Sequence, residues 1–132
     1  PAFILQALRG EPMTVFGDGQ QTRSFCYVGD LVRGLVDFME QDAHTGPMNL
    51  GNTREMTMLE LAEAIVGIVG ADSSVSMEPL PMDDPRQRQP DITLARSLIG
   101  WDPRVDLVAG LTATVDYFKA ELQSAQRAES GQ

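Results

Sequence analysis

At 132 residues, 42% hydrophobic and 22% charged, the chain has the length and composition of one globular domain. Its net charge of -9 argues against nucleic acid and anionic membrane as partners, and no run approaches the roughly 18 apolar residues of a membrane span. A small dianion is not excluded, because salt screens the overall field over about 8 Å and local arginines then decide. Pro1-Ala-Phe-Ile-Leu-Gln-Ala-Leu-Arg-Gly10 opens at once in a helical pattern, with Phe3, Ile4 and Leu8 on one face and Gly10 as the stop. Domains usually start with a few loosely held polar residues, so this opening reads as a cut through a longer chain. Met13–Phe16 is a short β-prone run closed by the turn Gly17-Asp-Gly19, and Ser24–Val28 alternates as a second strand. Asp30 is placed to cap a helix over 31–40, with Leu31, Leu35 and Met39 as its apolar stripe and Val32 and Val36 beside it. Residues 44–47 form a turn and Met48–Leu50 a brief strand.

Thr57-Met-Leu-Glu60 is a capping box, in which hydroxyl and carboxylate each take an orphan N–H at a helix start. That helix turns Leu61, Ala62, Ile65 and Val69 inward and ends near Gly70. Val75–Glu78 is a further strand, and the proline-rich stretch 79–90 an ordered loop. Asp91 caps a short helix over 92–99 that Gly100 stops, and Trp101 pins it to the body of the domain. Asp106 starts the last helix, with Leu107, Leu111, Val115, Phe118 and Leu122 at helical spacing. These elements define an α/β fold of short strands and four or five helices over residues 1–123, followed by a polar, frayed tail at 124–132.

Chemistry-bearing candidates are few. Arg23 sits in Thr14-Val-Phe-Gly-Asp-Gly-Gln-Gln-Thr-Arg-Ser-Phe25, and Arg88 in Asp83-Asp-Pro-Arg-Gln-Arg-Gln-Pro-Asp91. A guanidinium presents a planar fork of donors that matches two phosphate oxygens at once. The glycine turn is either a plain connection whose glycines supply positive φ, or a place where a ligand approaches the backbone with Arg23 on its phosphates and Phe16 stacked on a base. The second loop is either a solvated, charge-balanced surface or the other side of a diphosphate site. Asp83 and Asp84 read as loop caps or partners for Arg86, since nothing nearby would desolvate and raise a carboxyl pKa. His44 has no second ligand at metal spacing, and one peripheral His completes no catalytic triad. Cys26, the single cysteine, reads as a packed thiol, and its solitude makes a reducing cytoplasm the simplest setting.

Together these stretches, with Asn49-Leu-Gly-Asn52 and Leu98-Ile-Gly-Trp-Asp-Pro103, resemble the C-terminal portion of extended short-chain dehydrogenase/reductases of the NAD-dependent epimerase/dehydratase family, and among them the UDP-glucuronate decarboxylases. The Phe-Gly-Asp-Gly…Thr-Arg block and the Gly-Trp-x-Pro ending recur among many nucleotide-sugar dehydratases and epimerases. The Asp-Asp-Pro-x-x-Arg-x-Pro-Asp block is the better discriminator. The resemblance implies a small substrate-binding domain whose Rossmann partner lies outside this chain. It implies that Thr14, Val15 and Phe16 line the nucleobase, with Gln21 beside them. Arg23 would hold ribose and phosphates, and Arg88 would close over the diphosphate, followed by Asp91. It further implies NAD held upstream, a UDP-sugar as substrate, and a homodimeric, cytoplasmic parent. For the whole enzyme it implies oxidation at C4 of glucuronate, loss of carbon dioxide and re-reduction to UDP-xylose. The glycine-rich fingerprint and Tyr-x-x-x-Lys pair of that chemistry are absent from the sequence, so these residues alone should turn nothing over. A 4,6-dehydratase, a 4-epimerase and a non-catalytic binding module are the alternatives.

Overall fold

The first strand sets the layout. In β1 (Met13–Phe16) the buried Met13 and Val15 alternate with the outward Thr14 and Phe16, so one face of a four-residue strand enters a core and the other faces a cavity. The computed structural model describes residues 1–70, 74–79 and 88–130. Before β1 comes α1 (Ala2–Leu8), which buries Ile4 and Ala7. After it come β2 (Thr22–Ser24), α2 (Val28–Met39), β3 (Glu55–Thr57), α3 (Met58–Val69), β4 (Val75–Glu78), α4 (Thr93–Ile99) and α5 (Leu107–Ser130). β1 pairs in parallel with β4, Met13 opposite Val75 and Phe16 opposite Glu78. β2 pairs antiparallel with β3, Arg23 opposite Met56.

Two apolar clusters hold these elements. The larger joins Ile4 and Ala7 of α1, Met13, Leu61, Ala62 and Ile65 of α3, and Val115 of α5. The smaller joins Ile92, Ala95 and Trp101, with Cys26, Met48, Leu50 and Ile99 packed around them. The predicted capping box on α3 is present in full, and Gly70 ends the helix at φ 71°, where a Cβ would be strained. α4 ends the same way at Gly100, φ 60°. Asp106 Oδ1 accepts the Ala109 N–H and starts α5 as predicted. Among the described residues no helix is long and apolar enough to cross a membrane.

Trp101 pins more than α4. Its indole N–H donates to the Asp30 carbonyl at 2.9 Å, and the Arg33 guanidinium lies 5.7 Å over its ring. Gly34 is where α2 meets that ring: a Cβ there would stand 2.7 Å from Trp101 Nε1.

Several expectations are corrected. The second strand covers Thr22–Ser24 and not Ser24–Val28. Beyond Ser24 the chain splits its side chains between clusters, Phe25 toward the larger and Cys26 toward the smaller. Its partner β3, at Glu55–Thr57, was not foreseen, and Met48–Leu50 forms no strand. Asp30 is not a cap: α2 starts at Val28 with Tyr27 in the N-cap position, and Asp30 is buried in the first turn. The apolar stripe of α2 is mostly exposed: the helix buries only Asp30 and Gly34, Leu31 is half-buried, and Val32, Leu35, Val36 and Met39 are exposed. The frayed tail is helical to Ser130. Ile92 holds the N-cap position of α4, yet the Asp91 carboxylate one residue earlier accepts the Thr93 N–H at 2.9 Å, as a capping group does.

Candidate functional site

The outer edge of β1 carries backbone groups that the parallel pairing leaves unused, and two glutamines satisfy them. Gln6 of α1 accepts the Thr14 N–H at 3.1 Å and donates to the Thr14 hydroxyl at 2.9 Å. Gln21 donates to the Phe16 carbonyl at 2.8 Å. The Gln21 Oε1 atom is buried and has no hydrogen-bond partner among the described residues. Around this edge lies a cavity of about 520 Å³ lined by Thr14, Phe16, Gln21 and Arg23, with Phe3 and Phe25. Phe16 is held outward by strand alternation, so its ring stands at the cavity wall. Gly19 makes the approach to α3 possible: at φ 70° it sits where a Cβ would fall 2.6 Å from Leu59 Cγ.

A second, wider cleft of about 800 Å³ adjoins the first through Arg23 and Phe25, which line both. Its other walls carry Arg88, Asp91, Asn49 and Asn52. β2–β3 pairing and the Thr22 Oγ–Glu55 Oε1 bond of 2.7 Å hold Arg23 in place. Arg23 Nη1 also donates to the Thr22 carbonyl at 2.7 Å. Arg88 is tied to both sides of the cleft: Ser24 Oγ of β2 donates to its carbonyl at 3.4 Å, while next to it Gln89 donates to the Thr53 carbonyl and Pro90 lies against Gly51.

Asp91 is fully engaged as a capping group, accepting from both N–H and hydroxyl of Thr93, and these bonds hold its carboxyl below the ordinary carboxylate range. Cys26 lines the wider cleft, and burial, with the nearby Asp30 charge, pushes its thiol up and keeps it protonated.

Of the predicted site residues, Thr14, Phe16, Gln21 and Arg23 come together in the first cavity, and Arg23, Arg88 and Asp91 in the second. Val15 is the exception. Its side chain is 1% exposed in the core, so only its backbone lies near the cavity. Asp83, Asp84 and Arg86 lie outside the described residues. Gln6 is not among the predicted site residues, and Asn49 and Asn52 enter the sequence reading only within a stretch that carries the resemblance. A polar residue in the apolar pattern of α1 was the one available signal for Gln6. A third cleft, of about 510 Å³, is apolar and contains no arginine; it lies among α1, Phe25–Val28 and α5. No group of three metal-binding side chains is found among the described residues.

Residues 1–51 match the NAD dependent epimerase/dehydratase family. Over 97% of its length the chain is 48% identical to UDP-glucuronic acid decarboxylase 4 of Arabidopsis thaliana, and over 91% it is 50% identical to UDP-glucuronic acid decarboxylase 6 of the same plant. It spans 29% and 35% of those two relatives. The UDP-glucuronic acid 4-epimerase of Bacillus cereus, solved with UDP-glucuronic acid and NAD, superposes with a TM-score of 0.84 at 33% identity, over 91% of this chain and 40% of that one. The chain is thus similar, along nearly all its length, to the C-terminal part of UDP-glucuronic acid decarboxylases.

Proposed function

We propose, from that similarity, that these residues form the nucleotide-sugar-holding portion of an NAD-dependent UDP-glucuronate decarboxylase. One observation carries the reading. A cavity walled by Phe16, Thr14 and Gln21 and a cleft carrying Arg88 share Arg23 as a common wall. That is the order of parts a nucleoside diphosphate needs, a base beside an aromatic ring and then phosphates between two guanidiniums. The base-side cavity offers a ring to stack on and amide edges to bond, and Arg23 stands where base gives way to phosphate.

What these residues contribute is binding and orientation. The two arginines contact the nucleotide equally before and during reaction, so they contribute affinity and positioning more than rate. The Gly17-Asp-Gly19 turn leads into β2 and not into a helix N-terminus, so it does not have the form of a dinucleotide-binding turn. In this reading the cofactor and the acid–base pair belong to the part of the relatives that the chain does not span, and no chemical step is assigned to it. The likeness to a UDP-glucuronic acid 4-epimerase supports a second reading, in which the same cleft serves 4-epimerisation.

Two experiments separate these outcomes. UDP added to the isotopically labelled chain should shift resonances of Phe16, Arg23 and Arg88 and leave those of α5 unmoved; no saturable shift would end the binding reading. A chimera in which this chain replaces the matched region of the Arabidopsis relative, supplied with NAD and UDP-glucuronate, should yield UDP-xylose and carbon dioxide. Release of an epimerised UDP-hexuronate would move the name and keep the site.

A further inference from the structure

The Thr14 hydroxyl, on the outward face of β1, has its hydrogen-bonding role set by Gln6. The Thr14 N–H can only donate, so the Gln6 atom 3.1 Å from it is the amide oxygen. The other end of that amide, 2.9 Å from Thr14 Oγ, is then the NH2 group, which also only donates. The hydroxyl oxygen therefore accepts from Gln6, and its own proton turns elsewhere. Among the described residues no acceptor for that proton is found. Thr14 and Gln6 both line the cavity of about 520 Å³, and strand alternation points Thr14 away from the core. The open direction for the proton is the cavity.

We propose that Gln6 is a positioning residue that sets the base preference of this cavity. By holding the Thr14 hydroxyl as a donor toward the ligand, it favours a pyrimidine with a carbonyl at C4, as in uracil, over one with an amino group there, as in cytosine. The inference rests on the nucleoside-diphosphate reading of the site and deepens it. Thr14 and Gln6 line the base-side cavity alone, whereas Arg23 is shared with the cleft assigned to the phosphates. A base stacked on Phe16 therefore turns toward Thr14 the edge remote from its ribose, and in a pyrimidine that edge carries the C4 substituent. A carbonyl there accepts the hydroxyl proton. An amino group is met only if that proton turns to a side where no acceptor stands, which leaves a half-buried donor unpaired. Without Gln6 the hydroxyl would discriminate nothing, because a free rotor donates or accepts as its partner requires. Thr14 thus makes the contact, and Gln6 gives it a direction.

The test is titration of the chain with UDP and with CDP, whose ribose and phosphates are identical, so that the ratio of their Kd values isolates the base. The unsubstituted chain should bind UDP about tenfold more tightly than CDP. Gln6→Glu is the decisive variant. Its carboxylate can accept both the Thr14 N–H and the hydroxyl proton, which keeps α1 on the edge of β1 and turns the lone pairs of Oγ to the cavity. The preference for UDP should then vanish or pass to CDP, while the added charge acts on both nucleotides alike. Thr14→Val keeps the β-branched shape without the hydroxyl and should bring the two affinities to within about twofold. A preference for UDP that survives both substitutions overturns the inference. So does a Gln6→Glu variant that unfolds more easily but keeps the original ratio, which would make Gln6 a structural tie only. An unsubstituted chain that binds UDP and CDP equally overturns the inference and leaves the nucleotide reading standing. If neither nucleotide binds, that reading fails and the inference with it.

Discussion

Asp30 is the one charged side chain in the described interior, and replacing it by Asn or Ala separates its charge from its shape. Its Oδ2 accepts the N–H groups of Arg104 and Val105 at 2.9 and 2.8 Å, and its Oδ1 accepts from Arg33 at 3.0 Å. The carboxylate thereby fixes the turn between α4 and α5 onto the start of α2. Its backbone carbonyl holds Trp101 separately, so side-chain substitution leaves that bond in place. Asn offers one acceptor oxygen, which can keep the Arg104 and Val105 N–H groups at about 1 kcal/mol less each, while its amide NH2 faces Arg33 and loses that bond, so Asp30→Asn should cost roughly 3 kcal/mol. Asp30→Ala also strands two backbone donors and the Arg33 charge, and should cost roughly 3–5 kcal/mol. Burial raises the carboxyl pKa, but the bonds from Val105, Arg33 and Arg104 outweigh it and hold the folded value below the ordinary one. A depressed folded pKa means that the stabilisation is complete above the unfolded value of about 3.9 and fades as pH falls through the still lower folded value. Urea unfolding followed by the single tryptophan, Trp101, reads this directly. The gap between the unsubstituted chain and Asp30→Asn should be full at neutral pH and close below about pH 4. An Asn variant within about 0.5 kcal/mol of the unsubstituted chain at neutral pH would refute the charge as the source of the hold.

Arg23→Ala and Arg88→Ala should each weaken UDP binding by about 1.5–3 kcal/mol in calorimetric titration, with little change in unfolding midpoint. Gly34→Ala should destabilise by about 1–3 kcal/mol in the same urea assay, because its methyl would meet Trp101 and Leu50 inside 3 Å. Thr57→Ala removes the hydroxyl that accepts the Glu60 N–H at 3.1 Å and should cost about 1 kcal/mol, read as loss of helical circular dichroism at lower urea.

What was legible in the sequence follows from how local each signal is. The α3 capping box, the glycine stops after α3 and α4, and the Asp106 start of α5 depend on neighbours three or four residues away, and all appear as read. β3 was missed because Glu55–Thr57 has no apolar alternation; its pairing is set by Thr22 and the Thr22–Glu55 bond across 33 residues. Asp30 looked like a cap since a carboxylate before an apolar run is the usual cap pattern. The partners that draw it inward, Arg104 and Val105, lie more than 70 positions on. The α2 stripe has the period the sequence suggests, but periodicity shows that a face is apolar and not what covers it. Arg23 and Arg88 stand out by residue type against an acidic background, and both line one cleft; their role as phosphate ligands is the proposal. The role of Gln6 was not legible, since only the meeting of α1 with the edge of β1 makes its amide useful.

The two arginines lean on different cores, with the exposed Ser24–Arg88 bond between them. Arg23 is fixed by β2 and β3, and β3 runs straight into α3 of the larger cluster. Arg88 is fixed by Gln89 and Pro90 to the 51–53 turn, four residues before Ile92 of the smaller cluster. The segment between them, Phe25 and Cys26, places one side chain in each cluster, so the cleft lies along the seam where the cores meet. If the proposed site holds, a diphosphate bridging both guanidiniums would tie the cores together as well as bind to them. Any ligand that binds only the folded state adds stability of RT ln(1 + [L]/Kd), about 2.7 kcal/mol at a hundredfold excess over Kd. In the proposed site that gain would require both walls at once. UDP at a fixed high concentration should raise the unfolding midpoint of the unsubstituted chain, and uridine, which lacks the phosphates, should raise it far less. Removing either arginine should abolish most of the difference between the two ligands. If Arg23→Ala erased that difference and Arg88→Ala left it whole, the phosphates would be held by one wall only, and the seam would be a boundary that the ligand does not cross.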